Sequence, residues 1–320
     1  MRRRAVVLGS LALLLFGLTG VTACGGVDSQ SSALLERALE RPVASADVIV
    51  DLTVDAEGAP GIDEHLRVRL TGPYRSGSGR RLPSFDWDLA FSGVGQNVSA
   101  GLVSTGENAF VTFLGSAYEV GERRVARHNR KLARAARNRS RGSLEDLGVD
   151  PRGWIEGARN EGEDTVAGAA TTHLSGQIDV ARMLADLARA KPGSSGDERR
   201  ELTQAERRRL VESVEGNSFD VWVAKGDETI RRLRAEVDLA APEGRRLPPL
   251  GRGGPLAPLA RAERAHVELS IELSDVGGDQ RIQGPANARP LEELGRALEG
   301  MGRGGAMGGP GGPTAGLVID

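Results

Sequence analysis

Val48-Ile49-Val50-Asp51-Leu52-Thr53-Val54-Asp55 is the stretch that decides the fold. Val48, Val50, Leu52 and Val54 fall on one side of an extended chain, and Ile49, Asp51, Thr53 and Asp55 on the other. A period of two with one apolar side is the pattern of a half-buried antiparallel strand. The pattern recurs downstream. Leu66, Val68 and Leu70 alternate with His65, Arg67 and Arg69, and after a loop over 73–83, Phe85, Trp87, Leu89 and Phe91 alternate around Asp86 and Asp88. Val98, Ala100 and Leu102 continue it, followed by 109–114 and 118–120. Short strands separated by Gly- and Ser-rich turns predict a meander with one continuously apolar face.

Beyond the meander the spacing changes. Residues 122–141 place Arg123, Arg127, Arg130, Arg134, Arg137 and Arg141 three or four apart, a basic stripe on a helix with Val125, Leu132 and Ala136 as a thin apolar seam. Such a stripe suits anionic lipid headgroups, although most charged runs are only solvated faces. A short helical segment is expected over 144–154, a hairpin over 163–179, and a helix over 180–190 capped by Asp179. Thr203-Gln204-Ala205-Glu206 is a capping box that opens a helix to about Val214. Strands follow at 218–224 and 229–239, then a Gly-, Pro- and Arg-rich loop over 242–264. Ala265, Val267, Leu269, Ile271 and Leu273 give the cleanest alternation in the chain. Short helices are expected over 33–40, capped by Ser32, and over 290–298.

The N-terminal residues point to export. Arg2, Arg3 and Arg4 precede an apolar run over 5–18 and then Val21-Thr22-Ala23-Cys24. This ending resembles the bacterial lipobox, which implies cleavage before Cys24, lipidation of its thiol and anchorage on the outer side of a bacterial membrane. Cys24 is the single cysteine of the sequence, so no intramolecular disulfide can form. Two other readings remain. A transmembrane anchor needs about 20 apolar residues, more than this run offers; an ordinary secretory cut would leave Cys24 as an exported free thiol.

Composition narrows the function. The net charge is −2 over 320 residues, and Arg2, Arg3 and Arg4 would leave with the leader while no acid does, giving about −5. Nothing in that balance suggests nucleic-acid binding. Aromatic residues make up 3% of the chain, so aliphatic side chains must fill the interior.

Glu163-Asp164-Thr165-Val166-Ala167-Gly168-Ala169-Ala170-Thr171-Thr172-His173-Leu174 resembles a strand pair of the LppX/LprG group of actinobacterial lipoproteins. Val221-Trp222-Val223-Ala224 with Lys225-Gly226-Asp227 is similar to the next hairpin of that group, and 282–290 to its exit loop. The resemblance covers residues 32–298. It implies an α+β fold: a curved antiparallel half-barrel sheet wrapped around several helices, with an apolar cavity between the layers. The implied organisation is a leader over 1–23, a lipidated tether over 24–31, one domain over 32–298 with insertions at 121–160, 191–216 and 241–264, and a Gly-rich disordered tail over 299–320. The implied function is to bind, carry or present an acyl lipid or lipoglycan in the cell envelope. Cavity walls are then expected at Val50, Leu52, Val54, Leu66, Val68, Phe85, Trp87, Leu89, Val221, Leu233, Val237, Val267, Leu269 and Ile271. Each of these could instead simply pack on the helices.

Catalytic patterns are missing from the sequence. His65, His128, His173 and His266 are isolated, without metal-ligand spacing, and no cofactor or metal is expected. No G-x-S-x-G elbow occurs, and Gly300-Met301-Gly302-Arg303-Gly304-Gly305 matches a dinucleotide fingerprint only as text, with no strand before it. An enzyme is therefore not expected. The competing reading is an envelope sensor or adaptor that regulates a membrane signalling partner; the lipid-carrying reading would pair instead with an envelope transporter.

Overall fold

The computed structural model describes residues 29–59, 65–77, 81–93, 95–135, 154–180, 182–183, 204–242, 246–247, 259 and 262–304. Helix α1 (Ser29–Glu40) leads into a meander of β1 (Ser45–Glu57), β2 (Leu66–Arg75), β3 (Ser84–Gly93), β4 (Gln96–Thr105), β5 (Ala109–Phe113) and β6 (Ser116–Glu119). Helix α2 (Glu122–Ala135) follows, then β7 (Ile155–Val166), β8 (Ala169–Ile178), α3 (Gln204–Glu212), β9 (Val214–Ala224), β10 (Ile230–Ala240), β11 (Arg264–Ser274), β12 (Arg289–Pro290) and α4 (Leu291–Gly304).

All twelve strands join one sheet in the order β12-β6-β5-β4-β3-β2-β1-β11-β10-β9-β8-β7. The sheet is large, curved and unclosed, and every pairing except β12 with β6 is antiparallel. Two runs of sequential hairpins are sewn together by β1 and β11, which pair from Asp47↔Ser274 to Glu57↔Arg264. The two strands with the strictest alternation therefore occupy the middle of the sheet.

The register turns alternation into continuous rows. Leu174, Val221, Leu233, Ile271, Val50, Leu70, Leu89, Ala100 and Phe113 are successive cross-strand partners from β8 to β5. A second row runs Phe219, Ala235, Leu269, Leu52, Val68, Phe91 and Val98. One-residue slippage would move each row to the other face, so burial of one face fixes the pairing. Over β7 to β11 this inner face is closed by Leu35, Ala38 and Leu39 of α1, by Val180 and Met183, and by Leu210 of α3, all buried in one cluster with the strands.

Several sequence expectations change at their edges. The loop expected from residue 73 begins later, because β2 continues through Pro73 to Arg75. Gly72, at φ 143°, makes that passage: a Cβ there would lie 2.0 Å from the Asp86 carbonyl oxygen. Strand β7 starts at Ile155, inside the stretch expected to be an insertion, as an edge strand with exposed side chains and two register shifts. Apart from Ala158 and Val166 its side chains are largely exposed, so little burial imposes alternation. The 242–264 loop contributes Leu247, Leu259 and Ala262 to the core. Helix α1 begins at Ser29 rather than after Ser32, and α4 runs to Gly304 rather than 298.

All of the helical segment expected over 144–154 except Trp154, and the linker over 191–200, lie outside the described residues, as do Arg137, Arg141, Cys24 and the leader. The expected cap before 180–190 is present: Asp179 Oδ1 accepts from the Arg182 N–H at 3.0 Å.

Candidate functional site

The inner face is not closed evenly. Val54, Leu66, Val221, Leu233, Val237, Val267 and Ile271, all expected as cavity walls, are buried among core residues. Val50, Leu52, Val68, Phe85, Trp87, Leu89 and Leu269, expected in the same role, are only half-buried. At the far edge, Leu291 and Leu294 of α4 close a second, smaller cluster with Tyr118, against which Val111, Phe113 and Val120 pack. Phe85, Leu89, Ala100 and Leu102 on β3 and β4 lie between these clusters and belong to neither among the described residues. The result is an apolar strip flanked by two packed zones.

Aromatic side chains organise the strip. Phe85 stacks on Trp87 with ring centroids 4.1 Å apart, and Tyr74, buried on β2, flanks Trp87 at 6.4 Å. The indole Nε1 of Trp87 is buried and has no hydrogen-bond partner among the described residues. A buried donor left unmade costs about 1–3 kcal/mol, so it favours an acceptor reaching this place. Tyr74, Leu102, Val111 and Phe113 are not among the walls expected from the sequence. The signal for them lies in the continued alternation of the meander, since Trp87↔Leu102 and Leu102↔Val111 extend the row.

Helix α2 stands at the rim of the strip. Asn129 Oδ1 accepts from the Leu82 N–H at 2.8 Å, and its Nδ2 donates to the Gly106 carbonyl at 2.8 Å. These groups flank the start of β3 and the end of β4, next to Phe85 and its cross-strand partner Ser104. Val125 is buried on the same side of the helix, while Arg123, Arg127 and Arg130 are exposed. Arg134 lies within the helix.

The outer face has the opposite chemistry. Asp51 accepts from Arg67 Nε at 2.7 Å and from Arg69 at 2.8 Å; Arg232 meets Glu272 at 2.7 Å and Arg234 meets Glu268 at 3.0 Å. The Arg67 hydrogen bond, opposed by partial burial, holds the Asp51 carboxyl below its ordinary range. Asp238 lies 2.8 Å from His266 Nδ1 and raises that imidazole above its ordinary pKa through the hydrogen bond they share. His173 stacks on Trp222 at 4.4 Å and lies 2.8 Å from Asp220, a hydrogen-bonding role in its strand. A hollow of about 390 Å³ with a mixed lining opens beside these groups, bounded by Arg69, Thr71, Asp86, Asp88, Ser99 and Thr112 and by Leu89, Ala90, Ala100, Val103 and Leu114. Burial, with Asp88 close by, pushes the Asp86 carboxyl up.

Among the described residues there is no group of three or more His, Cys, Asp or Glu that could hold a metal. No helix among them is long and apolar enough to cross a membrane.

No family model matches the chain, and no curated protein matches it. Among solved structures it is similar to the Mycobacterium tuberculosis lipoprotein LppX, at 13% identity over 80% of this chain and 100% of that chain, with a TM-score of 0.38. It is also similar to LprF from Mycobacterium bovis, at 14% identity over 81% and 99% of the two chains, with a TM-score of 0.40. A LolA superfamily protein from Nitrosomonas europaea is 9% identical over 77% and 94%, with a TM-score of 0.21.

Proposed function

We propose that the chain is a lipid-anchored envelope protein that binds an acyl lipid along the half-buried strip of β3 and β4 and carries or presents it. The observation that carries this reading is the strip itself, an apolar surface between two closed clusters with a buried indole N–H lacking an acceptor among the described residues. Cys24, in its lipobox setting, supports attachment to a bacterial membrane. No reactive group is needed, because transfer of apolar surface out of water supplies the affinity.

Magnitudes favour a long chain as ligand. Each buried methylene contributes about 0.8 kcal/mol. Ten give about 8 kcal/mol, and an association cost of at least about 4 kcal/mol leaves only millimolar affinity. Sixteen give about 13 kcal/mol, which leaves submicromolar affinity.

The test is equilibrium binding of saturated fatty acids of increasing length to residues 25–320, which contain every described element. Affinity should rise about fourfold per methylene, and Leu89→Trp with Leu102→Trp should abolish it. Binding that ignores chain length, or that survives both replacements, would remove the strip as the site. A correctly folded chain that takes up no acyl ligand would favour the adaptor reading instead.

A further inference from the structure

We propose that α2 is a membrane-docking helix that seats the chain on an anionic bilayer through Arg123, Arg127 and Arg130. At 100° per residue these positions, with Arg134, fall within an arc of about 60°. That arc lies opposite the seam formed by buried Val125 and the clamp residue Asn129. The helix is thus held to the sheet on one side and presents its cations outward on the other.

The stripe is set apart because three exposed cations without a carboxylate partner among the described residues share one helix face. On the outer sheet face Arg67, Arg69, Arg232 and Arg234 each meet a carboxylate. Arg124, on the flank of α2, bridges Glu292 of α4 at 2.9 Å. Arg123, Arg127 and Arg130 make no ion pair among the described residues and are exposed. Like charges at three- and four-residue spacing disfavour a helix by a few tenths of a kcal/mol per pair. A plane of phosphates would relieve that repulsion along the whole stripe at once.

The choice of a bilayer over an acidic protein rests on the lipid-anchored reading given above, and on the place of α2 at the rim of the apolar strip. Docked through the stripe, the helix would hold that rim close to the membrane from which an acyl lipid is taken or to which it is given.

The test is sedimentation of residues 25–320, which lack the lipidation site, with vesicles of phosphatidylcholine alone or mixed with phosphatidylglycerol. Binding should require phosphatidylglycerol and weaken as added salt shortens the screening length. Arg123→Gln, Arg127→Gln and Arg130→Gln together should lower partitioning on the order of 100-fold, about fivefold per arginine, the equivalent of about 1 kcal/mol for each basic residue at an anionic surface. Arg124→Gln should stay within about twofold of the parent. Equal binding to both vesicle types, absence of binding, or a triple variant that partitions like the parent would overturn the proposal. Fatty-acid uptake by the same triple variant reports folding and cargo binding separately: uptake without docking is the expected result, and a parent that docks but takes up nothing would count against the lipid-binding reading alone.

Discussion

Trp87 lies nearly parallel to Phe85, with 14° between the ring planes and 4.1 Å between centroids, while its indole N–H has no partner among the described residues. On the opposite face of the sheet, the Trp222 N–H donates to Asp164 Oδ2 at 3.0 Å. The two indoles mark the two faces: one is closed into a polar network, the other has no acceptor among the described residues. Replacing Trp87 by Phe should leave the unfolding free energy from urea titration within about 1 kcal/mol of the parent, because the unmade donor is removed along with some packing. Affinity for an acyl ester should fall about three- to tenfold, the worth of one hydrogen bond, while affinity for an alkane of equal chain length stays unchanged. Equal losses for both ligands would show that the N–H is not used.

Gly72 is the residue that the β2–β3 pairing cannot replace. At its φ of 143°, an added Cβ would lie 2.0 Å from the Asp86 carbonyl oxygen, which leaves no room for a side chain. Gly72→Ala should destabilise the fold by about 3 kcal/mol or more, measured as a shifted urea midpoint. A loss under about 1 kcal/mol would contradict the geometry.

The Arg67–Asp51–Arg69 group on the outer face makes a pH prediction. The folded-state pKa of Asp51 is depressed, so its contribution is fully present above the unfolded value of about 3.9 and is lost as pH falls through the lower folded value. Melting temperature followed below about pH 4 should therefore drop less steeply in Asp51→Asn than in the parent. Parallel curves would remove this carboxylate from the acid response.

His266 titrates with the opposite sign. Its pKa is raised by Asp238, so the contribution is present below the unfolded value of about 6.5 and disappears as pH rises through the folded value. His266→Gln should flatten the melting profile just above about pH 6.5. An unchanged slope would show that the imidazole pair contributes nothing measurable.

Asn129 joins α2 to the sheet by two hydrogen bonds. Asn129→Ala should speed amide exchange in α2 and around Leu82, while the β1–β11 ladder stays protected, because local opening of a rim helix need not involve the core. Uniform acceleration across the protein would contradict a local clamp.

The centre of the sheet was legible because burial on one face forces alternation: β1 and β11 read out residue by residue, and they are paired in the fold. Edge elements were less legible. Strand β7 is mostly exposed, so Glu156, Arg159 and Glu161 could sit in it without any apolar rhythm, and β12 is a two-residue pairing with no pattern to detect. Pro73 reads as a breaker because the effect of Gly72 beside it depends on a neighbouring strand. At the candidate site, the wall residues could be assigned to one face from the sequence, but their division into packed and half-open zones could not. That division depends on where α1, α3 and α4 settle, and helix placement is a tertiary property that no local period encodes.

The most direct test of the central claim is native mass spectrometry, with organic extraction, of residues 25–320 produced in a bacterial host. The account predicts a co-purifying acyl lipid that disappears with Leu89→Trp and Leu102→Trp. A clean apo mass for the folded parent, with no uptake of added long-chain fatty acid, would contradict it.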